Sequence, residues 1–311
     1  MFFTKSDFKR NFGIEFEMEQ NLSKDDLAKI VKAFDSDHPC FVQPSSGGSQ
    51  GWAESKGNDF WHVKYDSTCG PQKTPGWEIA TYVGNNIGDL DLFSKMAVHF
   101  KLSNVKTNDW CGLHTHVETK DFSVEKMGKL LAIWLKIEPM MFYMFPEHRR
   151  VNKYCRSMRK LAPILNLEEN ADPTYLYNKI KPQRTYSHEN EDKKVSLNIV
   201  GYERIYKDLD DTRATIEFRV PECILNYRHV KNSSLFIINF ANQDHDYPKN
   251  LDAVSDVDEF LDLNGLGARN SILDDHLLNL KMWILKRFIR FGTKKIQENA
   301  KTKLNYITKL I

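Results

Sequence analysis

The sequence predicts an α+β protein in which helices pack on one face of an antiparallel sheet. Strand patterns occur in pairs between helical segments, without the regular strand–helix–strand alternation of a parallel sheet. The 311 residues are 41% hydrophobic and 28% charged, as in an ordinary globular protein. A chain of this length and composition buries enough apolar surface to shape a deep site.

Alternation of apolar and polar residues predicts the strands. The first runs from Gly13 to Glu19, where every second residue is acidic, so that one face would be apolar and the other charged. Further strands are predicted at 60–65, 76–83, 111–118, 194–200 and 214–220.

Apolar spacing of three and four residues predicts the helices. The first spans Leu22 to Phe34 and opens with Ser23, followed three residues later by Asp26, which is typical of a helix N-terminus. Further helices are predicted at 87–102, 124–145, 147–161, 226–240 and 274–311, the last with a break at Gly292. The segment 44–51 and the polar region 168–194 are predicted to be loops.

Charge and cysteine content argue against several classes of protein. The net charge is only +2, so the overall charge does not indicate nucleic-acid binding. The five cysteines form no CxxC pair, which argues against a disulfide framework or a four-cysteine zinc site and favours a reducing cytosol. The chain has neither a signal-like N-terminal run nor an apolar stretch of about 18 residues that could span a membrane. We therefore expect a cytoplasmic protein.

Charge is unevenly distributed near the C-terminal end. Seven acids and one base lie between Asp244 and Asp262, and nine bases and one acid lie between Lys281 and Lys309. The basic segment has two interpretations. It could bind a polyanion such as nucleic acid, or it could be the solvated face of a docked helix that pairs with the acidic stretch.

Three predicted strands each carry charged or imidazole side chains on a single face, because residues two apart on a strand point the same way. These side chains are Glu15, Glu17 and Glu19 on the first strand, His114 and His116 on the fourth, and Glu217 and Arg219 on the last. Like charges along one strand repel. A divalent metal ion would relieve this repulsion, since hard cations take carboxylate oxygens and bridge phosphates.

Phosphate groups would have to be held without a Walker loop, because the chain contains no GxxxxGK[ST] motif. Metal ions and arginine side chains are the remaining means of holding them. The arginines available for this role are Arg149, Arg150, Arg204 and Arg219.

Several motifs occur in a fixed order along the chain. They are GIEFEME at 13–19, Asp66-Ser67, GWEI at 76–79, CGLHTHVE at 111–118, His148-Arg149-Arg150 with Tyr154-Cys155, Ser196-Leu197-Asn198, and TIEFRVPE at 215–222. In this order and spacing they resemble the amidoligase family, within the glutamine synthetase-like carboxylate–amine ligase superfamily. The resemblance spans roughly residues 12–225.

The resemblance implies a fold and a reaction. The fold is a curved antiparallel sheet of the glutamine synthetase catalytic-domain type, with helices on its convex face. Residues 1–243 would form the catalytic domain, and residues 244–311 a helical extension packed on it. The reaction is ATP-dependent formation of an amide bond through an acyl phosphate, with magnesium or manganese ions. The partners would be small-molecule or peptide amines and carboxylates.

The resemblance also implies roles for individual residues. The implied metal ligands are Glu15, Glu17, Glu78, His114 and Glu217. The implied nucleotide contacts are His114, His116, Arg149, Arg150, Asn198 and Arg219, with Arg149 and Arg150 competing for one phosphate-binding role. The implied catalytic residues are Glu78, Asp66 and Arg219. Glu19 lies outside the two-glutamate core of the first motif.

The chain departs from the family pattern at two places. It has Asp66-Ser67-Thr68 where relatives often carry Asp-Gly-Ser, and Ala80-Thr81-Tyr82 where relatives carry Ser-Pro after the EI motif. Because these positions would shape the acceptor pocket, the substrates of a relative cannot simply be transferred to this chain.

Two other functions compete with the ligase hypothesis. His114 and His116 with a glutamate have the ligand types of a zinc hydrolase, although carboxylates outnumber histidines and favour harder ions. The basic C-terminal segment could instead make the chain a nucleic-acid-associated protein.

Overall fold

The computed structural model describes residues 8, 10–43, 59–70, 74–161, 172–180, 194–202, 214–267 and 275–310. The chain divides into two compact units. The N-terminal unit contains Thr4–Val117 and Pro221–Leu235, and the C-terminal unit contains Glu118–Val220 and Phe236–Ile311. The predicted loop at 44–51, Arg204 and most of the region 168–194 lie outside the described residues. The predicted division into residues 1–243 and 244–311 stays a prediction.

The N-terminal unit is built on a mainly antiparallel sheet. Its strands are β1 (Phe12–Glu19), β2 (Cys40–Val42), β3 (Trp61–Asp66), β4 (Gly76–Ala80) and β5 (Leu113–Glu118), in the spatial order β2-β3-β4-β1-β5. Strand β1 pairs antiparallel with β4 and β5, and β4 pairs antiparallel with β3. Strands β2 and β3 are parallel. The antiparallel prediction is therefore confirmed for most of this sheet and wrong for the β2–β3 pair, which the sequence did not indicate because β2 has only three residues.

Helices α1 (Lys24–Phe34) and α2 (Ile87–Leu102) cover the apolar face of this sheet. The ring of Phe16 on β1 lies 5.6 Å from that of Phe100 on α2, in an edge-to-face contact. The Trp61 indole on β3 donates a 2.8 Å hydrogen bond to the Asp35 carboxylate at the end of α1. Ser23 caps α1 and accepts a hydrogen bond from the Asp26 amide at 3.1 Å, as predicted. The opposite face of the sheet carries the acidic side chains.

The C-terminal unit combines a short strand pair with most of the helices. Strands β6 (Leu197–Asn198) and β7 (Thr215–Phe218) pair antiparallel and are shorter than predicted. The helices are α3 (Val124–Phe142), α4 (Glu147–Arg150), α5 (Met158–Leu161), α6 (Pro173–Ile180), α7 (Tyr227–Asn242, in this unit from Phe236 onward), α8 (Val257–Leu263), α9 (Asp275–Phe291) and α10 (Lys294–Leu310).

The core of this unit is centred on Trp134 of α3. Its ring lies 5.5 Å from that of Phe218 on β7 and 5.6 Å from that of Phe240 on α7, and its indole donates to the Ser196 hydroxyl at 3.0 Å. This aromatic packing fixes β7 against the helices and thereby the residues that β7 presents on its other side. The predicted break at Gly292 is confirmed, because α9 ends one residue before it.

The predicted helix over 147–161 is wrong as a continuous element. Only α4 and α5 are helical, and residues 151–157 between them leave the helical conformation, with Arg156 forming a bridge to Val195. The Asn152 side chain accepts a hydrogen bond from the Tyr154 amide at 2.8 Å. A side chain that satisfies a nearby backbone amide in this way competes with helix formation.

Helix α6 lies in a region predicted to be a loop. It begins at Pro173, which is well suited to the first turn of a helix. It packs closely on α3 at Gly128, where a Cβ atom would lie only 1.9 Å from the Pro173 carbonyl oxygen. Helix α6 therefore depends on a tertiary contact that local sequence does not show.

These elements confirm the predicted α+β class. The glutamine synthetase catalytic-domain type stays a prediction. Within the residues that the structure describes, none of the helices has the combination of length and apolar character that crossing a bilayer requires.

Candidate functional site

Strand pairing brings together the charged side chains on the open face of the N-terminal sheet. In the β1–β5 register Glu15 lies opposite His114, and in the β1–β4 register Glu17 lies opposite Glu78. In the β3–β4 register Lys64 lies opposite Glu78. We call the resulting group the strand cluster, which comprises Glu15, Glu17, Lys64, Glu78, His114 and His116.

Glu15 is a central residue of the strand cluster. Its Oε1 atom lies 3.1 Å from the Lys64 Nζ atom. Its Oε2 atom lies 3.2 Å from His116 Nε2 and 3.5 Å from His114 Nδ1. Burial alone would raise the pKa of Glu15, but Lys64 and His116 bring it well below its ordinary value. Glu15 is therefore held as a carboxylate.

Glu17 is held by a hydrogen bond from the backbone as well as by a histidine. Its Oε2 atom accepts a 2.5 Å hydrogen bond from the Gly112 amide, and its Oε1 atom lies 3.4 Å from His114 Nε2. A Cβ atom on Gly112 would lie 2.6 Å from the same imidazole nitrogen. A glycine at this position thus lets the imidazole approach the backbone beside Glu17.

Glu78 differs electrostatically from Glu15. Burial and the neighbouring Glu15 carboxylate raise the pKa of Glu78 to about 8, although Lys64 acts in the opposite direction. The Lys64 ammonium lies 2.5 Å from Glu78 Oε1. Burial lowers the pKa of Lys64, but the two carboxylates more than offset this, so that Lys64 stays charged.

Asp66 lies at the end of β3, on the same face of the strand as Lys64. Its Oδ1 atom accepts hydrogen bonds from the Thr68 amide and hydroxyl, both at 2.6 Å. Ligand atoms of Glu17, Asp66 and Cys69 lie within 4.8 Å of one another. A hydrogen bond with Cys111 and burial raise the pKa of the Cys69 thiol, which makes it a poor metal ligand.

The donor set of the strand cluster suits a hard divalent ion. Ligand atoms of Glu15, Glu78 and His114 lie within 4.8 Å of one another. Two carboxylates and one imidazole are compatible with magnesium or manganese. Among the described residues, none of the three-residue groups with ligand atoms this close contains both His114 and His116. The two-histidine zinc site of the hydrolase alternative therefore gains no support from this geometry.

A second polar group lies on the strand pair of the C-terminal unit. The Glu217 carboxylate on β7 contacts the Arg219 guanidinium through one oxygen. Its other oxygen accepts a 2.6 Å hydrogen bond from the Asn198 side chain on β6. The Arg219 Nε atom also donates to the Tyr154 carbonyl at 3.2 Å. The structure thus brings together three of the predicted residues, while their roles toward metal and nucleotide stay predictions.

Both arginines of α4 are engaged by backbone carbonyl groups. Arg149 is buried and donates to the carbonyls of Val220 at 3.0 Å and of Arg219 at 2.8 Å. Arg150 donates to the carbonyls of Phe142 at 3.1 Å, Phe145 at 3.3 Å and Phe291 at 2.6 Å. Arg149 therefore anchors the backbone beside Arg219, whereas Arg150 ties α3 and α4 to the end of α9. A phosphate contact for either arginine stays a prediction.

The basic C-terminal segment is divided between the interior and the surface. Lys281 and Arg287 on α9 are buried, and Arg287 donates to the Met144 carbonyl at 2.5 Å. On α10, Lys303 forms a 2.5 Å ion pair with Asp258 of the acidic stretch. Part of the basic charge thus serves the fold of this unit. Contact with a polyanion through the exposed remainder stays a prediction.

Sequence reasoning missed Lys64, although a signal for it exists. Lys64 lies two residues before Asp66 in an alternating strand, which places both on the polar face. Its contact with the glutamates can be recognised only once β4 is known to lie between β3 and β1, because this strand order brings Lys64 next to Glu78 and Glu15.

Comparison with known families gives one match. The family model described as "Putative amidoligase enzyme" matches residues 9–241. No curated protein matches the chain.

Proposed function

Because the chain belongs to the amidoligase family, we propose that it is an ATP- and magnesium-dependent carboxylate–amine ligase. Family membership indicates a ligase-type enzyme. The observation that carries the finer proposal is the strand cluster, in which two buried glutamates and Glu15 meet two histidines on one face of a sheet. A soluble location in the cytoplasm, as the sequence predicts, is compatible with such a reaction and belongs to the same proposal.

The proposed reaction has two steps with a defined balance. A carboxylate oxygen of the first substrate attacks the γ-phosphorus of ATP, and the bond to the ADP oxygen breaks. The amine nitrogen of the second substrate then attacks the acyl carbon, and the bond to phosphate breaks. Amide, ADP and inorganic phosphate are the products, and the amine gives up a proton.

Residues of this chain would serve distinct roles in that reaction. Glu15, Glu17, Glu78 and His114 would hold magnesium, which when bound neutralises charge on the phosphate groups. Arg219 would stabilise negative charge on the transferred phosphoryl group. Glu78 or Asp66 would orient the amine and accept its proton. Support for these assignments comes from the family match and from the ligand types that the strand cluster brings together.

The substrates are expected to be small-molecule or peptide carboxylates and amines. A panel of carboxylates with ATP, magnesium and hydroxylamine tests the first step, because hydroxylamine traps an acyl phosphate as a hydroxamate. We expect hydroxamate and ADP to form together for at least one carboxylate. A second panel of carboxylate–amine pairs should give ADP only when both substrates are present.

Glu17→Gln and Glu19→Gln form a matched pair for this test. Both change a glutamate on β1, but only Glu17 contacts His114 and the Gly112 amide. We expect Glu17→Gln to abolish hydroxamate formation and Glu19→Gln to retain it. ADP formation that needs no carboxylate, or full activity in Glu17→Gln, would contradict the proposal.

A further inference from the structure

The Lys64 ammonium lies between two glutamates that the proposed function assigns to magnesium. It is 3.1 Å from Glu15 Oε1 and 2.5 Å from Glu78 Oε1. The side chain of Lys64 is 26% exposed, and those of Glu15 and Glu78 are 17% and 12% exposed. This is a partly buried cation in contact with two carboxyl groups, in contrast to a solvent-exposed surface pair.

Strand pairing fixes the position of this cation. Lys64 lies directly opposite Glu78 in the β3–β4 register. Its neighbours Trp61 and Val63 are fully buried on the other face of β3. A shift of β3 by one residue would expose these apolar side chains, so packing on the apolar face holds Lys64 on the polar face.

A divalent ion and the ammonium would draw on the same two glutamate side chains. The ligand atoms of Glu15, Glu78 and His114 that lie within 4.8 Å of one another could hold one ion. The ammonium already contacts an oxygen of each of the two glutamates. Two cations that draw on the same pair of carboxylates repel each other, and they do so most strongly where solvent screening is low.

We propose that Lys64 is a built-in cation that competes with a divalent ion for Glu15 and Glu78, and that it thereby lowers the metal affinity of the strand cluster. This inference rests on the proposed metal-dependent function. It makes Lys64 a residue that sets metal affinity without being a ligand. In the absence of metal, the ammonium also offsets part of the repulsion between Glu15 and Glu78.

The test is a titration of the metal-free full-length protein with Mn2+, followed by the electron paramagnetic resonance signal of the free ion. Lys64→Met removes the charge and keeps an unbranched side chain. We expect Lys64→Met to bind Mn2+ at least tenfold more tightly than the wild type, or to bind one more ion. Lys64→Arg, which retains the charge, should show no such gain.

Two controls separate competition from other causes. Lys29→Met removes the same charge from an exposed lysine that pairs with Asp26 on α1, so its Mn2+ affinity should equal that of the wild type. The double variant Lys64→Met/Glu78→Gln should lose the gain in Mn2+ affinity, because it lacks the Glu78 carboxylate that removal of Lys64 makes available to the ion. Thermal unfolding of each variant verifies that it is folded.

The possible results are distinguishable. If the wild type binds Mn2+ and folded Lys64→Met binds it equally or more weakly, the inference about Lys64 is overturned while the proposed function stands. If neither the wild type nor Lys64→Met binds Mn2+, both are overturned. Should Lys64→Met fail to fold, Lys64→Gln replaces it, and the same gain is expected because the charge is again removed.

Discussion

The strand cluster of the N-terminal unit and the two arginines of α4 in the C-terminal unit use charge in opposite ways. In the strand cluster of the N-terminal unit, charged groups face mainly one another: Glu15 and Glu78 share Lys64, and two histidines approach Glu15. In the C-terminal unit, Arg149 and Arg150 donate to backbone carbonyl groups. An arginine whose guanidinium donates hydrogen bonds to backbone carbonyl groups stabilises the fold. The glutamates and histidines collected on one sheet face instead offer ligand atoms that are available to bind an ion.

The largest expected effect is a loss of ligase activity on substitution of Glu15, with little loss of stability. We expect Glu15→Gln to lower ligase activity by about 100- to 1,000-fold, the range for losing one group that stabilises developing charge. The free energy of unfolding should fall by less than about 2 kcal/mol, because glutamine keeps the shape of the side chain and loses only the charge that faces Lys64 and His116. Steady-state kinetics and urea unfolding measure the two quantities. A loss of stability large enough to unfold the variant would remove the contrast between the units.

The reverse behaviour is expected at Arg149. Its replacement in Arg149→Met leaves the carbonyls of Arg219 and Val220 without their charged donor inside the unit. The expected cost is about 2–4 kcal/mol of unfolding free energy. Arg290→Met, at an exposed position on α9, is the matched control and should cost less than about 1 kcal/mol. Equal stability of Arg149→Met and the wild type would show that Arg149 does not anchor β7.

Divalent metal should stabilise the protein through the strand cluster alone. At a free Mn2+ concentration of about 100 times Kd, one site adds roughly 2.7 kcal/mol to the unfolding free energy. The double variant Glu15→Gln/Glu17→Gln should gain nothing, whereas Arg149→Met should gain as much as the wild type. Urea unfolding with Mn2+ and with a chelator measures each increment. An increment that survives in the double variant would locate the ion elsewhere.

The smallest effect is expected at the ion pair between Lys303 and Asp258. The Asp258 side chain is 62% exposed, so solvent screens the pair. Lys303→Met should lower the unfolding free energy by less than about 1 kcal/mol. Lys136→Met, which removes a buried lysine that donates to Asn250, should cost more. An equal loss of unfolding free energy in Lys303→Met and Arg149→Met would contradict the expectation that a buried donor stabilises this unit more than an exposed ion pair does.

Local sequence predicted most elements of the fold. The alternation in β1, the Ser23 cap of α1 and the break at Gly292 depend on neighbouring residues, and all three are confirmed. Strand β2 and helices α6 and α8 were missed because they are short, with three, eight and seven residues. Helix α6 packs where Gly128 allows close approach, and this requirement lies more than 40 residues away in the chain.

The sequence by itself determined which side chains share a face of each strand, because that follows from the period of two. It therefore identified Glu15, Glu17 and the two histidines as polar-face residues. The motif order, from which the role of Glu78 was taken, indicated the family that the match over residues 9–241 confirms. Only the tertiary structure decided which strands are neighbours and in what register. That choice placed Lys64 between Glu15 and Glu78 and committed Arg149 and Arg150 to backbone carbonyls. The physical reason is that strand pairing and burial are set by contacts between distant segments, which local periodicity does not encode.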